Sequence, residues 1–318
     1  MTLNKQVVLL VGGVGGAKLA YGLAKIVPPE RLTIIVNTAD DFWHYGLRIC
    51  PDLDTVMYTL ANRVNTANGW GVDGDTRAML EMMRDYGEDP WFGLGDKDIA
   101  THLLRTQAWQ EGQTLTQITQ RLTKGLGIAC TILPMTDAPV ATIVDTVEQG
   151  ELGFQDYFVR HRWQPTLRGL RLDGIEAATV SPEVEAALKA ADTIIIGPSN
   201  PWLSINPIVS VPGMRELIEA QNVARVAVTP IVAGTAIKGP AAKIMGELRL
   251  EVTVKTVVEY YATLINGFVY DERDEDFHID SIRKIAFDTI MDSDEKRILL
   301  AHRVLDWALG TSEGDTIR

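Results

Sequence analysis

Short apolar runs alternate along the chain with stretches whose apolar residues recur at helical spacing. Val7–Val11 is followed by Leu19, Tyr21, Leu23 and Ile26, and after a break at Pro28 and Pro29 comes the run Leu32–Val36. Further runs stand at 129–133, 191–196, 223–229 and 267–270, the last read as the final strand. Helical spacing fills the intervals: Val56, Met57 and Leu60; residues 76–86; Ile99, Leu103 and Leu104, which mark one face of a helix; then 114–126, 214–220, 256–264 and 294–309. Unbroken rather than alternating apolar runs belong to strands buried on both faces. The pattern therefore predicts an α/β chain with a mainly parallel sheet and helices on both sides.

Two stretches depart from this rhythm. Residues 62–90 are polar and aromatic with one short helix, and are expected to form an insertion that reaches to about residue 125. Its Trp70, Trp91 and Phe92 either stack on a flat ligand or pack beneath the loop. Residues 140–174 read as an antiparallel excursion of short strands. The expected organisation is one α/β domain over 1–310, a loose tail at 311–318, and a solvated acidic loop at 271–276.

At 318 residues and 46% hydrophobic content the chain is long enough to bury a large core. A formal charge of −12 argues against a nucleic-acid partner, which needs a basic face. It also requires that any anionic substrate be drawn by a local concentration of Lys, Arg, helix ends or metal. Cys50 and Cys130 lack metal or redox spacing. There is no charged-then-apolar leader and no apolar run of membrane-spanning length, so a cytoplasmic protein without a membrane partner is expected.

The candidate chemistry lies where the apolar runs end. After the first run come Gly12, Gly13, Gly15 and Gly16, then Lys18. Glycines accept positive φ and let an anion reach the free N–H groups of a helix start. The spacing is not that of a P-loop, which needs glycine at Ala17 and a hydroxyl at Leu19, nor of the G-x-G-x-x-G fingerprint, which meets Lys18 at its third glycine. A phosphate cradle of another kind is the reading, against a tight turn without a ligand.

Asp40 and Asp41 follow the second run, and Asp52 and Asp54 follow Pro51 at a helix start. One such acid is an ordinary dipole partner. Four on adjacent loops repel unless a cation, an arginine or a proton relieves them, and carboxylate oxygens suit magnesium. Ser199 and Asn200, in the GPSNP turn after 191–196, are read as the second half of the site, and Lys238 opens a third rim loop. Asp96 reads as an N-cap, Lys97 as facing an anionic ligand, and His102 as structural.

Taken together, VGGVGGAK, VNTADDFWHYGLRICPDLDTVMYTL, LGDKDIATHLLRT, LPMTD, GPSNPWLSINPIVSVPGMRE and TPIVAGTAIKGPAAK closely resemble the 2-phospho-L-lactate transferase family of coenzyme F-420 biosynthesis. The resemblance implies a Rossmann-like fold, a homodimer and a requirement for Mg2+. The implied reaction transfers a phospho-enolpyruvyl or 2-phospho-L-lactyl group from a guanosine-diphosphate-activated donor to the ribityl hydroxyl of the deazaflavin Fo, releasing GMP. It implies that Gly12, Gly13, Gly15 and Gly16, with Lys18, Ser199 and Asn200, hold the donor, and that Asp54 and Lys97 contact Fo. Lys97 stands where the family commonly has Arg, so a bidentate contact becomes a point charge. Asp54 and Asp52 are the candidate catalytic acids, and a subset of Asp40, Asp41, Asp52 and Asp54 would hold the metal. Asp54→Asn is expected to spare folding. The first loop is closer to the form of bacterial members, which tilts the donor toward enolpyruvate.

Two alternatives come from other classes. The related gluconeogenesis-factor proteins share the glycine loop but bind nucleotide sugars as regulators, and are not expected to carry PDLDT with GDKD. A nicotinamide-dependent dehydrogenase rests on the glycine turn alone, and Asn37 stands where an acidic ribose ligand is usual.

Overall fold

A computed structural model describes residues 4–236, 241–247 and 251–310; Lys238 and the tail 311–318 lie outside the described residues. Strands β1 (Val7–Val11), β2 (Leu32–Val36), β3 (Thr131–Pro134), β4 (Thr193–Ile196), β5 (Ala224–Val228), β6 (Gly267–Asp271) and β7 (Arg283–Phe287) form one sheet in the order β7-β6-β5-β4-β1-β2-β3. Every neighbouring pair in it is parallel. The chain thus runs outward from β1 to β3 and restarts on the other side of β1 with β4. Loops leaving β1 and β4 diverge at that reversal, and the crevice between them is the ligand position of doubly wound sheets.

Alternation along β1 shows why the run is apolar throughout. Val7, Leu9 and Val11 enter one buried layer, and Val8 and Leu10 enter the opposite one. The first layer is closed by α1 (Gly13–Ile26), α2 (Pro51–Leu60) and the C-terminal helix Asp294–Ala308. The second is closed by helices Pro182–Ala190, Met214–Glu219 and Val254–Tyr261. Ile194, Ile195 and Ile196 of β4 are all fully buried, at about 1.5–3 kcal/mol each, which anchors the turn that follows them.

The stretch expected as an insertion holds α3 (Ala78–Asp85), α4 (Asp96–Gln110) and α5 (Leu115–Gly125). A Thr114/Gln117 capping box starts α5, whose Leu115, Ile118 and Leu122 join the first layer, making it the crossover helix to β3. The antiparallel excursion is present as a three-stranded sheet, with Ala141–Thr146 between Gly150–Gly153 and Leu167–Asp173.

Four sequence expectations need correction. Gly267–Asp271 is not the last strand: β7 pairs beside it as a half-exposed edge, its charge carried by Arg283 over Trp307 and Lys284 over Phe277. The acidic run 271–276 is not simply solvated, because Asp271 is fully buried and accepts from Thr289 and Arg273. Asp96 does not cap its own helix: it accepts from the Thr76 hydroxyl and from the Ala78 and Met79 N–H groups at the start of α3. Asp75 in return accepts from Lys97 and Asp98 N–H at the start of α4, so the two helices cap each other. Finally, α4 is inverted. Leu103 and Leu104 are 54% and 43% exposed, while Asp98, His102 and Arg105 point inward.

Candidate active site

The glycine loop and the GPSN turn meet backbone to backbone at the β1/β4 reversal. Gly13 has φ +64, which favours glycine, and a Cβ at Gly16 would stand 2.6 Å from Ser199 Oγ. One at Gly15 would run into the Pro198 carbonyl oxygen. Ser199 Oγ accepts from Gly12 N–H at 3.1 Å and donates to Gly12 O at 2.8 Å, which ties the two loops together. Asn200 Oδ1 accepts from Trp202 and Leu203 N–H, capping the turn Pro201–Ile205. Among its side-chain atoms only Nδ2 remains to donate.

Asp52 joins this junction from the first turn of α2. Its Oδ1 accepts from Gly13 N–H at 2.8 Å, and its Oδ2 accepts from Asn37 Nδ2 at 3.0 Å. The helix α1, which has no side-chain cap of its own, is therefore capped by a carboxylate from its neighbour.

The four aspartates of the sequence reading have two fates. Asp41 is ion-paired with Arg48 at 3.3 Å, the guanidinium lying over the rings of Trp43 and Trp109, and burial still pushes its carboxyl up to about 7. Asp54 is gripped by Arg105 through both oxygens, Nη1 donating to Oδ2 at 3.1 Å and Nη2 to Oδ1. Asp40 and Asp52 have no basic partner among the described residues. Burial, then the charges of Asp52 and Asp41, hold Asp40 well above the usual carboxylate range. Burial raises Asp52 to about 6 against its bonds to Asn37 and Gly13. Asp40 Oδ1 is buried and lacks a hydrogen-bond partner. Two adjacent carboxylates raised by burial and repulsion, one with an orphan oxygen, suit a hard divalent cation.

These groups line a cavity of about 560 Å³, within the size range of small-molecule sites. Gly12, Gly13, Gly15 and Lys18 line one side with Pro198, Ser199 and Asn200; Asp40, Asp52 and Asp54 line another. Gly16 and Asp41 are not among the lining residues; Gly16 serves the packing against Ser199. Trp70 and Phe92 reach the cavity from the 62–95 segment, whereas Trp91 packs on Phe42 and His44. Phe154, Phe158 and Trp163, from the antiparallel excursion, add an aromatic wall that the sequence pattern did not single out.

A third wall comes from α4 and was also missed. Asp98, His102 and Tyr58 line the cavity, and His102 and Arg105 are each 1% exposed. Ligand atoms of Asp54, Asp98 and His102 lie within 4.8 Å of one another, a spacing that a metal ion could use. Arg105 already supplies the positive charge there, so the group reads as a hydrogen-bonded network rather than a metal centre. The available signal was the recurrence of Asp98, His102 and Arg105 on one helix face.

Lys97 is not among the lining residues. Its Nζ is exposed and donates to the carbonyls of Asp73 and Gly74 at 3.1 and 2.9 Å, next to Gly71 and Trp70 on the cavity rim. Lys97→Ala is expected to loosen that rim, raising amide hydrogen exchange at residues 70–76 several-fold. Unchanged exchange there would contradict this.

The family model for 2-phospho-L-lactate transferase CofD matches residues 7–300. The chain belongs to the 2-phospho-L-lactate transferase family. It is 41% identical over 302 residues to the 2-phospho-L-lactate transferase of Methanosarcina mazei, covering 94% of this chain and 99% of that protein. It is 37% identical over 321 residues to the phosphoenolpyruvate transferase of Thermobifida fusca, covering 97% and 99%. Relatives of both names, archaeal and bacterial, thus match over nearly their whole length. Among solved structures, a UPF0052-family protein of Bacillus halodurans superimposes with TM-score 0.62 at 15% identity, over 95% of this chain and 100% of that one. That likeness supports the Rossmann-like α/β fold of this transferase-family chain, and nothing finer. No helix among the described residues is long and apolar enough to cross a membrane.

Proposed function

We propose that this protein transfers a phospho-enolpyruvyl or 2-phospho-L-lactyl group from a guanosine-diphosphate-linked donor to the ribityl hydroxyl of the deazaflavin Fo, releasing GMP. The observation that carries the reading is the charge of the cavity. Four aspartates and one lysine line it, so an anionic pyrophosphate enters only with a cation, and Asp40 and Asp52 stand ready for one. Membership of the transferase family favours this reading over a nicotinamide dehydrogenase or a sugar-nucleotide regulator.

In this reading the pyrophosphate lies beside the Gly12–Gly15 turn, whose glycines let α1 close on Asp52, Ser204 and Pro198. The Gly12 and Gly13 N–H groups are already taken by Ser199 and Asp52, so Lys18 and the Asn200 amide meet its oxygens instead. Magnesium held by Asp40 and Asp52 would neutralise charge on the phosphoryl oxygens. Asp54, whose oxygens already accept from Arg105, accepts a further hydrogen bond from the attacking hydroxyl and sets its line of approach. A bond forms between that oxygen and the phosphorus bearing the three-carbon acid, the anhydride bond to GMP breaks, and the hydroxyl proton is released to water. The aromatic walls offer stacking faces for the flat deazaflavin. A homodimer belongs to the same proposal and is read by light scattering.

Incubation with Fo, magnesium and each guanosine donor in turn, followed by mass spectrometry, tests the proposal. The expected result is GMP release in step with a product heavier by the phospho-enolpyruvyl or phospho-lactyl group, abolished by EDTA, and the preferred donor names the three-carbon acid. Saturable binding of a UDP-sugar without turnover would instead favour the regulator.

A further inference from the structure

The inward face of α4 calls for an explanation that the fold does not supply. A helix carrying Leu103 and Leu104 would ordinarily bury them, yet here Asp98, His102 and Arg105 are buried and the leucines lie outside. Burying three polar side chains is costly unless their polar groups meet one another, and here they stand in a chain with only His102 Nε2 lacking a hydrogen bond. Tyr58 donates to Asp98 Oδ1 at 2.6 Å, and His102 Nε2 lies 3.3 Å from the same oxygen, an electrostatic contact without the geometry of a hydrogen bond. His102 Nδ1 lies 3.1 Å from Arg105 Nη1, and Arg105 grips both oxygens of Asp54 and also donates to the Arg48 carbonyl.

Donor and acceptor roles follow from chemistry. A guanidinium has no acceptor, so Nδ1 must accept from Arg105, and the imidazole proton sits on Nε2, facing Asp98. With the lone pair toward the arginine and Nε2 near the acid, a ring flip would set an N–H against the guanidinium and a lone pair against the carboxylate, so the imidazole is held as it stands. The guanidinium in turn is braced at a fixed distance from the cavity wall, and with it the carboxylate of Asp54. We propose that His102, backed by Asp98, is a positioning residue that sets the orientation of Asp54 through Arg105. The inference rests on the reading that Asp54 meets the acceptor hydroxyl.

Steady-state kinetics and calorimetric donor binding on His102→Leu, His102→Asn, Asp98→Asn and Asp54→Asn test it. Leucine fills the space without a polar atom, while asparagine offers an acceptor near the place of Nδ1. His102→Leu should lower kcat about 30-fold with donor Kd changed less than about twofold, the scale expected when a reacting group is misplaced by an ångström or less. His102→Asn should recover about fivefold of that loss. Equal losses in the two variants, a matching loss of donor affinity, or an unchanged kcat would overturn the proposal. If His102→Leu does not fold, Asp98→Asn, which keeps volume and removes charge, should lower kcat at least about threefold at constant donor affinity, and an unchanged kcat overturns it. Asp54→Asn separates the two levels. Full turnover in that variant would remove the hydroxyl-binding reading and this inference together, whereas lost turnover there beside an active His102→Leu removes only the positioning role.

Discussion

Asp54→Asn is expected to lower turnover at least about tenfold and, against what the sequence alone implies, to cost about 3 kcal/mol of stability. The amide leaves Arg105 fully buried with half of its ion pair gone, and removing one partner of such a pair is far more damaging than replacing both. The two effects can be separated. Adding Arg105→Gln to Asp54→Asn removes the stranded charge, so the double variant should regain much of the urea midpoint while turnover stays low. If the double variant regained turnover as well, Asp54 would be only a counter-ion to the arginine. If the single variant kept a wild-type midpoint, the Arg105 guanidinium would have to be solvated rather than enclosed by Asp54, His102 and the Arg48 carbonyl.

That prediction also marks where the chain was readable in advance. Buried strands announce themselves because a sheet covered on both faces needs unbroken apolar runs, which is why β1, β2, β4 and β5 could be read from the sequence. The edge strand β7 could not, since Arg283 and Lys284 are tolerated on a half-exposed edge and hide the pattern. The glycines, Asp52, Asp54, Ser199 and Asn200 were legible because each follows a strand or opens a helix, and local geometry restricts what can stand there. The His102 and Arg105 wall was not. Periodicity assigns the leucines of α4 to the inside, and only tertiary pairing with Asp54 on another helix makes the polar face the buried one. The same holds for Asp75 and Asp96, whose exchange of caps involves two helices and cannot be seen from either alone.

Metal-free protein should be less stable at pH 7.5 than at pH 5.5, and magnesium should close the gap. Burial raises Asp52 to about 6, and Asp40 is raised further by burial and by the charges of Asp52 and Asp41. A carboxyl whose folded value exceeds its unfolded value of about 3.9 favours the folded chain in its protonated form. Its contribution is complete below the unfolded value and is lost as pH climbs through the folded one. For Asp52 the whole loss is about 3 kcal/mol, of which about 2 has gone by pH 5.5 and about 1 falls within this window; Asp41, raised to about 7, loses about 2 kcal/mol more across it. Carboxyls held low by their partners, such as Asp98 and Asp271, are ionised throughout this window and do not offset it. A divalent cation binds the ionised pair and competes with protons for it, so thermal melts should show a large magnesium-induced rise at pH 7.5 and a small one at pH 5.5. Asp40→Asn removes one carboxylate of the pair. It should flatten the pH dependence, abolish the magnesium-induced rise and abolish GMP release. A magnesium shift of unchanged size in Asp40→Asn would place the cation elsewhere, and the acidic wall would then need another counter-charge for the pyrophosphate.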